Sequence, residues 1–365
     1  LNRRMFLSGR GPRRGHSGSL RGSASVENSS SSDLLRQLAL TGFQGRRLGE
    51  AFENWKRMLQ APLTTIFFGL SGAMSPGVMS PFLRFLVERR AIDVIVSTGA
   101  NLSHDVYLGL GGKHYLGNDQ VDDARLRREG FHRIYDVFES GDVMDEVEDW
   151  ITSLVRRSLV DGRAYSSREI TRLIGKELSS TKLGRQTLLG CAYAVGVPVF
   201  IPALGDSVLG SAMMLANREF GRRIVVDMMM DLEEITSISA ASPRAGAVFI
   251  GGGVPKNYIQ QSSVIATYLC GRDKSFDFGL QITTDSPQWG GLSGSTFSEA
   301  ISWGKYKKDA AFATCYVDAT IALPLLTSAL DRWKPLNSRI RPIFRWNQDG
   351  LKVRFLRGGH LSNVR

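Results

Sequence analysis

The chain reads as α/β: a single doubly wound, Rossmann-like domain with a mostly parallel sheet. Three observations carry this reading. Short apolar runs recur without polar alternation, the pattern of strands buried on both faces. Each run ends in glycine or small polar residues and is followed by a helical stretch, as in βαβ units. No composition break or linker interrupts residues 33–331, and no solenoid-length repeat is present.

In order, Ser32 and Asp33 offer a cap for a helix carrying Leu34, Leu35, Leu38 and Leu40. Residues 48–59 have helical spacing through Phe52, Trp55 and Leu59, and Pro62 ends them. Residues 63–68 read as a buried strand before a small-residue turn up to Gly77. Residues 82–90 are helix and 92–97 a second strand ending at residues 98–101. The segment 141–183 is helical and charged and is expected to pack outside the sheet. The alternation then resumes: helix 187–195, strand 197–201, helix over most of 224–239, strand 247–250, helix 258–269 and strand 279–283. A strand at 312–317 and a helix from Pro324 to Trp333 complete it.

The net charge of +11 belongs to the two ends. Residues 1–32 carry +5 and residues 332–365 carry +8, leaving −2 for the body. A nucleic-acid groove built into the fold is therefore not expected. Residues 1–32, rich in Ser, Gly and Arg, read as a disordered basic N-terminal extension, and 332–365 as a basic C-terminal tail. The extension shares its acid-poor, Arg-rich character with organelle transit peptides, but its glycines suit an amphipathic helix badly. No apolar run approaches the roughly 18 residues that span a bilayer. Cys191, Cys270 and Cys315 are odd in number and widely spaced, which fits buried thiols in a reducing, cytoplasmic setting.

Ligands of such sheets sit at the carboxyl ends of the strands. Four expected strand ends carry small or polar residues: 71–75, 98–101, 205–206 and the triple glycine 251–253. The last opens a helix, so its backbone N–H groups suit a phosphate, although a tight turn needs glycine too. Asp206 and Asp318 follow strands, where a carboxylate accepts ribose hydroxyls or simply caps a helix. Lys305 follows Trp303 and Gly304, six residues after Glu299. A nucleophilic lysine must be neutral, and apolar surroundings lower its pKa. Lys305 is thus a candidate imine-forming residue, or a surface lysine beside a half-buried ring. Lys256, next to the glycines, is the rival and suits a phosphate better.

Several segments in register resemble one family: residues 281–296 (QITTDSPQWGGLSGST), 299–305 (EAISWGK), 316–324 (YVDATIALP) and 247–256 (AVFIGGGVPK), with 41–45 (TGFQG), 93–99 (DVIVSTG) and 202–206 (PALGD). Together, over residues 41–330, they resemble the deoxyhypusine synthase family, in its bacterial deoxyhypusine-synthase-like branch. The resemblance implies NAD bound at the interface of paired subunits in a homotetramer. It implies aminobutyl transfer from a polyamine such as spermidine, through an imine on the catalytic lysine, to an acceptor amine. Lys305 matches that lysine, Trp303 the ring beside the amine and Glu299 an amine-binding carboxylate. Ser75, Thr98, Asp206, Gly252, Gly253, Thr284, Asp318 and Ala319 match cofactor contacts.

Departures from the family pattern fall on several acids and on a proposed general base. Ser103 and His104 stand where a glutamate pair is expected, Ser211 where an aspartate is, Asn257 where a histidine is, and residues 289–292 (WGGL) replace an acidic loop. His104 reads either as a replacement acid–base group or as a hydrogen-bonded helix residue. With no Cys or His at ligand spacing beside it, no metal is expected. Fewer acids favour a small free amine as acceptor, with a homospermidine-type product, over a protein lysine.

Overall fold

A computed structural model describes residues 29–347 and 350–357. Residues 1–28 of the expected extension lie outside that range. Its boundary at residue 32 falls inside a helix, because Ser30, not Ser32, is the cap. The Ser30 hydroxyl accepts the Asp33 N–H and the Asp33 carboxylate accepts the Ser30 N–H.

The elements are α1 (Ser31–Leu38), α2 (Phe43–Gln60), β1 (Thr64–Leu70), α3 (Ser80–Glu88), β2 (Val94–Ser97) and α4 (Gly99–Gly109). Then come β3 (Tyr115–Leu116), α5 (Asp123–Arg128), β4 (Phe131–Ile134), β5 (Val137–Ser140), α6 (Gly141–Ser158), β6 (Ala164–Tyr165) and α7 (Ser167–Leu178). They are followed by α8 (Leu188–Val195), β7 (Val199–Phe200), α9 (Val208–Glu219), β8 (Val225–Val226), α10 (Met228–Ala241), β9 (Arg244–Ile250) and α11 (Gly253–Cys270). The chain ends with β10 (Phe276–Thr283), α12 (Phe297–Ser302), β11 (Tyr306–Tyr316), α13 (Ala319–Asp331), β12 (Ile340–Asn347) and β13 (Gly350–Arg357).

Six strands form one parallel sheet in the order β11-β10-β9-β1-β2-β7. From β1 the chain moves outward through β2 to β7, then returns to place β9 on the other side of β1. Strand order therefore reverses between β1 and β9, the kind of switch point at whose carboxyl end ligands of such sheets bind. Alternation along β1 shows why residues 66–70 are apolar on both faces. Ile66, Phe68 and Leu70 join the larger core, and Phe67 packs into a second core on the opposite face. Helices cover both faces.

Two regions differ from the sequence reading. Residues 115–140 build a three-stranded antiparallel sheet, β3-β5-β4, where no strand was expected. The expected C-terminal tail is largely folded: β12 and β13 pair as an antiparallel hairpin, with Phe344 buried. Ahead of it, Arg339 bonds Asp93 (3.0 Å), the Thr64 carbonyl and the Arg90 carbonyl, all buried. A lone buried carboxylate would be costly, and Arg339 matches it. Helix α13 begins at Ala319, and Pro324 lies inside it. No helix among the described residues is long and apolar enough to cross a membrane.

Candidate active site

The carboxyl ends of the strands converge. Asn101, at the start of α4, accepts the backbone N–H groups of Met74 (3.1 Å) and Ser75 (3.2 Å), and donates to the Gly72 carbonyl. It thereby joins the turn after β1 to the turn after β2. Thr98 caps α4. A Cβ on Gly99 would fall 2.3 Å from Ser207 Oγ, so only glycine lets the loop after β7 pass that close. Ser71 Oγ donates to the Gly252 carbonyl at 2.7 Å. A Cβ on Gly77 would lie 3.9 Å from Thr320, which places residues 75–77 beside Asp318 and Ala319.

Several features of this rim suit a phosphate-bearing ligand. Ser75 Oγ is buried without a hydrogen-bond partner. Helix α11 has 18 residues and no side chain capping its N-terminus, so its first N–H groups are available to an anion. Gly253 has φ +54 with nothing within 4 Å of where a Cβ would stand. Asp206 and Thr284 are exposed. Asp318 caps α13 through the Thr320 N–H at 2.7 Å, so its helix-capping role is real. Gly252 has a different role from the one its position implies. A side chain there would strike the Ser293 carbonyl at 2.0 Å, so this glycine admits the loop 291–296 before it admits a ligand.

Lys305 sits at the other edge of the sheet. Its carbonyl accepts the Phe276 N–H, at the start of β10, at 3.0 Å. The backbone turns there through Gly304, at φ +68. Burial lowers the Lys305 pKa, the direction that a nucleophilic amine needs. Lys256 is fully buried. Its ammonium donates to Gln281 Oε1 (2.8 Å) and the Ser295 carbonyl (2.5 Å), so it fastens the loop over the glycine turn. Burial pushes it down to about 8, repulsion from Lys305 adds to this, and Glu299 opposes it. Lys256, Lys305 and Glu299 therefore share one electrostatic neighbourhood. Glu299 Oε2 accepts the N–H and O–H of Thr296 in a capping box, which leaves Oε1 unengaged. Trp303 is 70% exposed.

A deoxyhypusine synthase family profile matches residues 33–330. The chain belongs to the deoxyhypusine synthase family. It is 42% identical over 329 residues to "Probable deoxyhypusine synthase 2" of Methanosarcina acetivorans, covering 90% of this chain and 94% of that one. It is 44% identical over 294 residues to the protein of the same name from Archaeoglobus fulgidus, covering 80% and 95%. Identity to the "Deoxyhypusine synthase-like protein" of Nostoc punctiforme is 37% over 320 residues, covering 83% and 80%. In fold the chain resembles the crystal structure described as a "putative deoxyhypusine synthase" from Entamoeba histolytica, at TM-score 0.60 and 18% identity, covering 83% and 93%. Family members are aminobutyltransferases, and this chain is a transferase of that kind.

The positions that depart from the family pattern have acquired new neighbours. Ser103 bonds the Gly99 carbonyl and accepts the Leu209 N–H, a packing role. Ser211 Oγ donates to Glu148 at 2.6 Å. An acid missing at position 211 is thus present beside it, supplied from α6. His104 is not isolated either. Its Nδ1 lies 2.9 Å from Glu139 Oε2, with His114 Nε2 3.3 Å from the same oxygen. The spacing argument against neighbouring ligand residues fails, because β5 and the turn before β3 fold back onto α4. Sequence reading missed Asn101, Glu148, His114 and Glu139 as site residues. Only Asn101 carried a signal, as the polar end of a strand.

Proposed function

We propose that this enzyme moves an aminobutyl group from spermidine or a related polyamine to an acceptor amine, with Lys305 as nucleophile and NAD as hydride carrier. The observation that carries the reading is Lys305 itself, a lysine whose pKa is lowered by burial, beside buried Lys256 and the open Oε1 of Glu299. Ser75, Thr98, Asp206, Gly252, Gly253, Thr284, Asp318 and Ala319 line or flank the rim that would hold NAD on a Rossmann-like, doubly wound sheet. When bound there, NAD accepts a hydride from the donor and later returns it. The donor then carries an imine carbon. Lys305 Nζ bonds to that carbon as the carbon's bond to the leaving amine breaks. The acceptor amine then displaces Lys305. Glu299 holds the cationic end of the amine and Trp303 excludes water from it. His104 stands apart from these steps and takes its Glu139 contact instead.

The active sites belong to subunit interfaces of a homotetramer. Lys305 lies level with Phe276, and the rim begins after Thr283, about 23 Å along the strand at 3.3 Å per residue. One side chain does not span that length. Trp289, Leu292 and Trp303 are 73, 78 and 70% exposed, the state of a surface that awaits a cover. The acceptor in this reading is a small amine such as a diamine, because the loop 289–292 is apolar. Glu148 beside Ser211 and the names of the archaeal relatives favour a second reading, a protein lysine on a translation factor. A non-catalytic, NAD-binding partner subunit is disfavoured by the retained Lys305, Trp303 and Glu299. Specific nucleic-acid binding is not part of the reading, and the cytoplasm is its setting. Supplying NAD, labelled spermidine, a diamine and the protein acceptor together decides it. Label in free polyamine supports the small-amine reading, label in protein supports the second, and no transfer removes both.

A further inference from the structure

Three ligand-type side chains that no step above uses meet in the antiparallel excursion between β2 and α6. His104 comes from the second turn of α4, His114 from the turn before β3 and Glu139 from β5. One donor atom of each lies within 4.8 Å of the other two. The His114 and Glu139 side chains are 2% and 3% exposed, and that of His104 is 17% exposed. Glu139 Oε2, His104 Nδ1 and His114 Nε2 are buried, yet none makes a hydrogen bond of sound geometry. No lysine or arginine pairs with Glu139; its ion-pair neighbours among the described residues are histidines. A buried carboxylate facing two imidazole nitrogens is well placed to share a cation with them.

The spacing fits an ion. Bonds of about 2.0–2.2 Å from a metal to nitrogen and oxygen put adjacent ligand atoms roughly 2.8–3.1 Å apart in octahedral and roughly 3.3–3.6 Å in tetrahedral geometry. Nitrogen-to-oxygen separations here are 2.9 and 3.3 Å. The surroundings are built to hold the three in place. Tyr107 donates to the Lys113 carbonyl (2.9 Å) and accepts the Ser140 N–H (3.1 Å), which clamps the residues next to His114 and Glu139. A Cβ on Gly112 would lie 2.3 Å from the Tyr107 ring, so glycine lets the chain cross that ring and present His114. Glu139 is fixed by register opposite His132 in the β4–β5 pair.

We propose that His104 Nδ1, His114 Nε2 and Glu139 Oε2 form a three-ligand site for a divalent first-row transition ion of the zinc class. Two imidazoles and one carboxylate suit zinc, iron(II), cobalt(II) or nickel(II) over magnesium or calcium. Three protein ligands leave at least one coordination position open. The ion ties α4, and with it the Thr98 end of the rim, to the excursion β3-β5-β4.

Cobalt(II) and zinc(II) are the probes. The full chain, stripped with chelator, is titrated with cobalt(II), and visible d–d absorption and heat-induced unfolding are followed. One equivalent per chain with bands displaced by zinc, and an upward shift in melting temperature on adding zinc, is the expected result. His104→Ala and Glu139→Gln lose the bands and the zinc-dependent shift while still melting cooperatively without metal. His132→Ala keeps both, since its ring lies outside the three-atom set. If His114→Ala does not fold, the partly exposed His104 position still carries the test. Absence of one-equivalent binding in the parent chain overturns the proposal. So does binding by His104→Ala and Glu139→Gln equal to the parent's.

Discussion

The rim at the carboxyl ends of the strands and the Lys305 segment are built in opposite ways. The rim is closed on itself: Asn101, Ser71 and two close-contact glycines bind its loops to one another inside one chain. The Lys305 segment is anchored from below, through Lys256 and the Thr296–Glu299 box, but its outer surface is open rings. A cofactor needs a rigid cradle before it arrives. A transferred amine needs a pocket that opens and closes, and in the proposed homotetramer leaving one wall to another subunit would separate the two requirements.

The strongest break of this comparison is at the lysine. Lys305→Ala should lower turnover by on the order of 10³-fold or more, and Lys305→Arg should be equally inactive, because guanidinium stays charged. Borohydride trapping followed by peptide mass spectrometry should place an aminobutyl adduct on Lys305; an adduct on Lys256 would reassign the nucleophile. The next test asks whether the two regions belong to different subunits. Lys305→Ala and Asp206→Ala, each inactive alone, should regain roughly a quarter of parental activity when co-assembled, since each mixed pair then holds one intact composite site. No recovery would place both halves in one chain. Asp206→Ala by itself should abolish the gain in thermal stability that NAD gives the parent, about 2.7 kcal/mol at 100 times Kd, with little change without NAD. Equal stabilisation of parent and variant moves the dinucleotide elsewhere.

The smallest effect concerns Lys256. Its pKa is near 8 in the fold and 10.5 when unfolded. Between those values the unfolded chain holds one more proton, so stability rises with pH, by at most about 1.4 kcal/mol per unit. Below pH 8 both states are charged and the slope from this group vanishes. Lys256→Met should flatten the rise between pH 8 and 10 in urea unfolding. An unchanged slope would show that the bonds to Gln281 and Ser295 hold the ammonium charged.

How far the sequence could be read follows from burial. Strands such as β1 and β9 lie between two helical layers, so beyond their first residues they are apolar and the run stands out. The strands of the excursion have two to four residues and exposed faces, as at Tyr115 and Leu116, so no period forms. In β13 the alternation was present, with Leu351, Val353 and Phe355 between Lys352 and Arg354, but charge outweighed it and the segment read as a tail. Lys305, Glu299 and Trp303 could be proposed together because they sit close in sequence. The His104, His114 and Glu139 set could not be, because tertiary folding alone makes its spacing.

Arg339 gives the chain a direction in time. Its carboxylate partner Asp93 lies 246 residues earlier. At 5–20 residues per second, synthesis leaves Asp93 without that partner for roughly 12 to 50 seconds. During that interval β1 and β2 can pair and Asp93 can accept the Ile66 N–H with the Arg90 cation nearby, but its two-pronged ion pair is missing. Asp93 is therefore fully paired only once Arg339 has arrived. A nascent chain that stops short of Arg339 lacks that pairing, and the hairpin β12–β13 follows as the latch on the fold.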